Sequence, residues 1–115
     1  MSQIQILHNP RCSKSRQTLA LIEEKGISPQ VVEYLKSPLN KAQLEALRDN
    51  LGLASFREMM RTKEDLYKEL SLADAGEEQL LEALVLHPVL LERPVVINGK
   101  RARIGRPPEQ VLEIL

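Results

Sequence analysis

The chain has 115 residues, 43% of them hydrophobic and none of them Trp, so one domain with a core of mainly Leu, Ile and Val is expected. Its 16 basic and 16 acidic side chains cancel, which argues against general affinity for nucleic acid or anionic membranes. No apolar run approaches membrane-spanning length, the N-terminus lacks a signal-peptide core, and a single Cys excludes an internal disulfide, so a cytoplasmic protein is expected.

"IQILH" (4–8) is short and apolar and stops at Asn9-Pro10, which predicts a first strand and a turn. Ser15, Leu19 and Ile22 then recur at helical spacing, with Gly26 as the stop signal. "VVEYL" (31–35) predicts a second strand. Strand, helix and strand in this order form a βαβ unit, whose strands run parallel.

The middle of the chain is helical. "LNKAQLEALRDNLG" places Leu44, Leu47 and Leu51 on one face, with Asn40 and Gln43 spaced as a capping box and Leu39 and Leu44 as a staple. "SFRE" (55–58) is a second candidate capping box, opening a short helix with Met59 and Met60. "TKEDLYKEL" and "EEQLLEALVLHP" predict two more helices, the last broken at Pro88. A helical insert of about 38–87 is therefore expected between two strand-bearing ends.

"PVVINGKRARIG" holds two extended runs around Asn98-Gly99, which predicts a hairpin with both of these residues at positive φ. Pro107 then opens a final helix, "PPEQVLEIL". The order is β-α-β, helical insert, β-β-α, and one mixed α/β sheet with packed helices is the economical architecture.

The lone Cys12 falls in the turn between the first strand and the first helix. Unpaired backbone N–H groups and the positive end of a helix dipole favour thiolate there. Arg11, Lys14 and Arg16 add positive potential, the Ser15 hydroxyl can donate to the sulfur, and His8 ends the preceding strand. A free Cys titrates near 8.5, and such surroundings lower it to about 3.5–7.5, so Cys12 reads as a nucleophile. The competing reading is an inert, buried thiol.

Arg93 precedes Pro94 at the start of the third strand, Arg106 follows the hairpin, and Arg61 ends a short helix in the insert. Guanidinium groups bind tetrahedral oxyanions by forked hydrogen bonds, and strand ends of such sheets meet at one ligand-binding edge. Other chemistries fail on spacing. A C-x5-R phosphatase loop would need Arg where Thr18 stands, and a C-x-x-C dithiol would need Cys where Ser15 stands. One Cys with His8 and His87 does not make a metal site, and no nucleotide-binding fingerprint is present, so no bound cofactor is expected.

"HNPRCSKSR" (8–16) resembles the H-N-P-x-C-x-x-S-R segment of the ArsC family, the glutaredoxin-dependent arsenate reductases, and within it the YfgD-like branch. "LRDNLG", "MMRTKEDLYKEL", "HPVLLERPVV" and "RIGRPPEQVLEIL" extend the resemblance along the whole chain. It implies a single thioredoxin-like domain over residues 1–115, with the helical insertion. Cys12 would attack arsenic, His8 and Ser15 would tune the thiolate, and Arg61, Arg93 and Arg106 would bind the oxyanion. Pro94 would be a cis-proline presenting the backbone of Arg93 to the site. Glutathione would be the co-substrate and glutaredoxin the partner of a monomeric protein. Reduction of As(V) to As(III) takes two electrons, and a chain with one thiol must draw the rest from outside. Ser13-Lys14 departs from the small, uncharged pair usual in the arsenic-resistance enzymes. Two other activities fit the same scaffold: a glutathione-dependent thiol–disulfide reductase and a non-enzymatic, Spx-like redox regulator, although Ser15 removes the C-x-x-C switch of the latter.

Overall fold

A computed structural model describes residues 4–115. The chain divides into two compact units, one running up to Ser37 and resuming at Arg93–Leu115, the other spanning Pro38–Glu92.

The first unit is built on a sheet of β1 (Ile4–Leu7), β2 (Gln30–Val32), β3 (Val95–Asn98) and β4 (Arg101–Ile104), in the order β2-β1-β3-β4. β1 runs parallel to β2 and antiparallel to β3, and β3 pairs antiparallel with β4. With α1 (Ser13–Glu24) between β1 and β2, and a 3-10 helix at Pro108–Ile114 after β4, this is the thioredoxin-like β-α-β … β-β-α arrangement, interrupted by a helical insertion. The register places Ile6 opposite Val96. Both are fully buried in one cluster with Ile22 of α1 and Val111 and Ile114 of the C-terminal 3-10 helix. Each such side chain contributes about 1.5–3 kcal/mol by leaving water, so this cluster fixes α1, and the turn before it, on the sheet.

Four local expectations are corrected. β2 ends at Val32, short of the predicted 35, because β1 supplies no partner beyond it: the His8 N–H takes the Val32 carbonyl and the chain then leaves at Asn9-Pro10. The segment after Val32 turns instead, with the Lys36 and Ser37 amides on the Glu33 carbonyl. In the hairpin Asn98 is still a strand residue, paired with Arg101, and the turn is Gly99-Lys100 with Gly99 at φ +63°. Asn98 is kept in the strand by its side-chain amide, which donates to the Ile114 carbonyl at 2.5 Å. The C-terminal segment is a 3-10 helix whose first residue is Pro108, since Pro107 is extended and follows a cis bond.

The second unit contains α2 (Lys41–Leu51), α3 (Asp65–Glu69) and α4 (Glu77–Leu86), with 3-10 turns between and after them. Asn40 and Gln43 close the predicted capping box. The fourth correction is at Ser55. Its hydroxyl accepts from the Arg57 amide, but Glu58 reaches the Ala54 amide instead of closing a box, and the helix is a 3-10 turn, Phe56–Met59. Met60 lies outside it in extended backbone and bridges to Leu91. The Glu92 amide donates to the Met59 carbonyl at 2.9 Å, so this unit continues past 87 to Glu92.

Candidate active site

Cys12 occupies the N-cap position of α1. The turn that carries it is fixed locally. The Cys12 amide donates to the Asn9 carbonyl at 3.0 Å, the Arg11 amide to Asn9 Oδ1 at 3.0 Å, and Arg16 Nη1 to the Pro10 carbonyl at 2.9 Å. An Asn-Pro pair is a turn signal because the Asn side chain bonds its own backbone two residues on. Asn9 and Arg16 are therefore positioning residues. The first was legible as a turn former, and the second was expected to act as a charge, not as a brace.

Burial alone would raise the Cys12 pKa. The Ser15 amide, the Arg93 side chain and the Lys14 amide outweigh it, and the thiol is held below its ordinary value. Cys12 closes no cap bond of conventional geometry, yet the amides at the second and third helical positions face its sulfur. The cation that lowers the pKa most is Arg93, which comes from the start of β3 and not from the Cys12 turn. Arg106 adds a second guanidinium, with Nη2 4.0 Å from the sulfur. Its Nε donates to the Arg93 carbonyl at 2.8 Å, which ties the two arginines together.

The Ser15 hydroxyl acts elsewhere than expected. Ser15 is fully buried, its Oγ accepts from the Asn9 amide at 3.0 Å, and it lies 2.6 Å from His8 Nδ1. Burial lowers the His8 pKa, partly opposed by Glu33, and Arg16 lowers it further. His8 Nδ1 and the Ser15 hydroxyl share this hydrogen bond, with its direction set by the imidazole tautomer, while Oγ also accepts from Asn9. His8 and Ser15 thus brace the turn, and the group of Ser15 that faces the sulfur is its amide.

The Arg93–Pro94 bond is cis. The Arg93 carbonyl is taken by Arg106 and the Pro94 carbonyl by the Gly105 amide, so the backbone here holds β4's exit in place. Gly105 is required by space. A Cβ there would lie 2.7 Å from Thr18 Oγ1 and 2.9 Å from the Pro94 ring. Arg93 Nε is buried and has no hydrogen-bond partner among the described residues. Arg61 belongs to the other unit, where it follows Met60 and forms an ion pair with Glu64 at 3.0 Å.

The sequence model of the ArsC family matches residues 7–114, from the end of β1 to the last turn. The chain belongs to the ArsC family. Among ArsC relatives it is 58% identical over 115 residues to the Escherichia coli K12 protein named "Uncharacterized protein YfgD", covering 98% of this chain and 97% of that one. It is 52% identical over 112 residues to the arsenate reductase of Haemophilus influenzae, covering 96% and 97% of the two chains. The solved structure of the arsenate reductase from Vibrio cholerae superposes with a TM-score of 0.97 at 52% identity, over 99% of this chain and 98% of that one. The ArsC match therefore includes both the Cys12 turn and the segment carrying Arg93, Pro94 and Arg106. No described helix is long and apolar enough to cross a membrane.

Proposed function

We propose that this protein is an arsenate reductase in which Cys12 is the nucleophile and Arg93 and Arg106 hold the oxyanion. The observation that carries the reading is the convergence of two guanidinium groups on one activated sulfur. Arg93 Nε, a buried cationic donor without an acceptor among the described residues, is the kind of group an anionic oxygen satisfies. Relatives above 50% identity that are named arsenate reductases supply the substrate.

The thiolate attacks arsenic. An S–As bond forms, one As–O bond breaks, and that oxygen leaves as water after taking up a proton. A second thiol displaces another oxygen in the same way, with arsenic still As(V). A third thiol then attacks the second thiol's sulfur. An S–S bond forms, the As–S electron pair stays on arsenic, and As(V) becomes As(III); water then displaces the Cys12 sulfur from As(III), which releases arsenite and returns the thiol. Only one of these three thiols is in the chain. Glutathione as the second and glutaredoxin as the third fit a cytoplasmic protein, where such thiols are kept reduced.

His8 and Ser15 act in this scheme through the turn they hold. Arg61 enters it on the family resemblance alone, and in its own unit it is committed to Glu64. The test is arsenite formation by the purified protein with glutathione and glutaredoxin. Activity that needs both, and is lost in Cys12→Ser, supports the reading. Absence of arsenate-dependent thiol oxidation under these conditions would overturn it.

A further inference from the structure

A cleft of about 410 Å³ opens beside the Cys12 turn without including Cys12 itself. His8, Pro10 and Arg11 line it from the turn, and Glu33, Leu35 and Lys36 from the segment after β2. Its volume falls in the range of about 300–1,000 Å³ usual for small-molecule sites. The sheet order explains its place. β2 and β3 flank β1 on opposite sides, so the segment after β2 reaches one side of the turn, while Arg93 and Arg106 come from the β3–β4 side.

We propose that this cleft is the binding site for the outside thiol, and that its occupant is a small peptide thiol of the glutathione type, with two carboxylates and one ammonium group. The proposal rests on the reading above that the second thiol comes from solution. The cleft's charges complement that ligand: Arg11 and Lys36 face two carboxylates, and Glu33 faces one ammonium. Leu35, 41% exposed, offers an apolar surface for the ligand's methylene groups. Glu33 and Lys36 now pair with each other at 3.7 Å. Both are well exposed, and such pairs are weak, so a ligand can replace the contact at little cost. Pro10 and Arg11 directly precede Cys12, so the cleft borders the turn that carries the sulfur. The arginines then hold the oxygens from one flank while the incoming thiol approaches from the other.

The direct test uses S-methylglutathione, which keeps the charged ends and has no free thiol, titrated into the full chain without arsenate and followed by amide NMR. Shifts of the Asn9 and Arg11 amides and of the Glu33–Lys36 amides are expected, with affinity at least about fivefold weaker in Lys36→Glu and in Glu33→Lys. Well-dispersed spectra of the two variants show that they are folded. In turnover with arsenate, the preference for glutathione over cysteamine, a thiol without carboxylates, should fall by a similar factor in Lys36→Glu. Shifts confined to other surfaces, or an unchanged preference, would overturn the cleft assignment and leave arsenate reduction standing. Binding in the cleft by a protein that reduces no arsenate would do the reverse.

Discussion

Arg106 Nε donates to the carbonyl of Arg93 at 2.8 Å, while its Nη2 stands 4.0 Å from the sulfur of Cys12. One guanidinium therefore does two things. It fixes the peptide that carries the other arginine, and it faces the Cys12 sulfur. On the proposed function, an oxyanion would meet two arginines already tied together by this bond, which lowers the cost of ordering two long side chains. Replacing Arg106 by Lys keeps a charge but loses the fork that makes both contacts at once.

Cys12 should titrate below the ordinary thiol value, because the Ser15 amide, Arg93 and the Lys14 amide outweigh the effect of burial. Iodoacetamide alkylation rate against pH reads this directly. Arg93→Ala should move the inflection upward. An inflection at the free-thiol value in the unmodified protein would return Cys12 to the inert class.

Ser15→Ala separates two roles for one residue. It removes the hydroxyl between His8 Nδ1 and the Asn9 amide but keeps the backbone amide facing the sulfur. A loss of about 1–3 kcal/mol in stability is expected from the unsatisfied buried groups. The alkylation inflection should move less than in Arg93→Ala. A larger move than in Arg93→Ala would restore the hydroxyl as the group that tunes the sulfur.

The Cys12 shift also makes stability depend on pH. A thiol whose pKa is depressed in the folded state favours folding above its unfolded pKa, and this contribution is lost as pH falls through the folded value. Denaturant melts of the unmodified protein and Cys12→Ala should therefore diverge as pH rises across that window, with the thiol-bearing chain gaining. Parallel curves across the window would show that the folded state does not favour the thiolate.

Gly105→Ala should cost about 1–3 kcal/mol by overpacking, since its Cβ meets Thr18 of α1 and the Pro94 ring at sub-contact distances. Relief requires α1 or the Pro94 segment to move, and both carry site residues. Arsenate KM should rise along with the loss of stability. A chemical melt and a KM measurement on the same preparation check both, and an unchanged melt would show that the contact relaxes freely.

Much of the element order was legible because it depends on local chemistry. Asn40-x-x-Gln43, the glycine stops and the apolar periodicity each act within a few residues, and the structure contains the capping box and helices they predict. Local signals do not reach the places where a partner distant in sequence sets the structure. β2 stops at Val32 because β1 runs out, and Asn98 stays in its strand because the Ile114 carbonyl holds its side chain. Arg61 was expected at a helix end, yet it follows the extended Met60, which pairs with Leu91.

The same division runs through the site. Composition and local order are enough to show one thiol, its place where a strand turns into a helix, and the absence of a second cysteine to pair with it. These follow from composition and from the N–H groups any helix leaves unpaired. The approach of Arg93 and Arg106 to that thiol, and the partner of the Ser15 hydroxyl, depend on long-range packing. Arg93 and Arg106 reach the sulfur across a sheet whose register brings both strand ends to the Cys12 turn. Ser15 turns its hydroxyl to His8 because a buried oxygen goes to the donor and acceptor that satisfy it, and those lie on the preceding strand and turn. Proximity in sequence points to Arg11, Lys14 and Arg16, whereas Arg93, about eighty residues away, is the cation that the fold adds beside the sulfur.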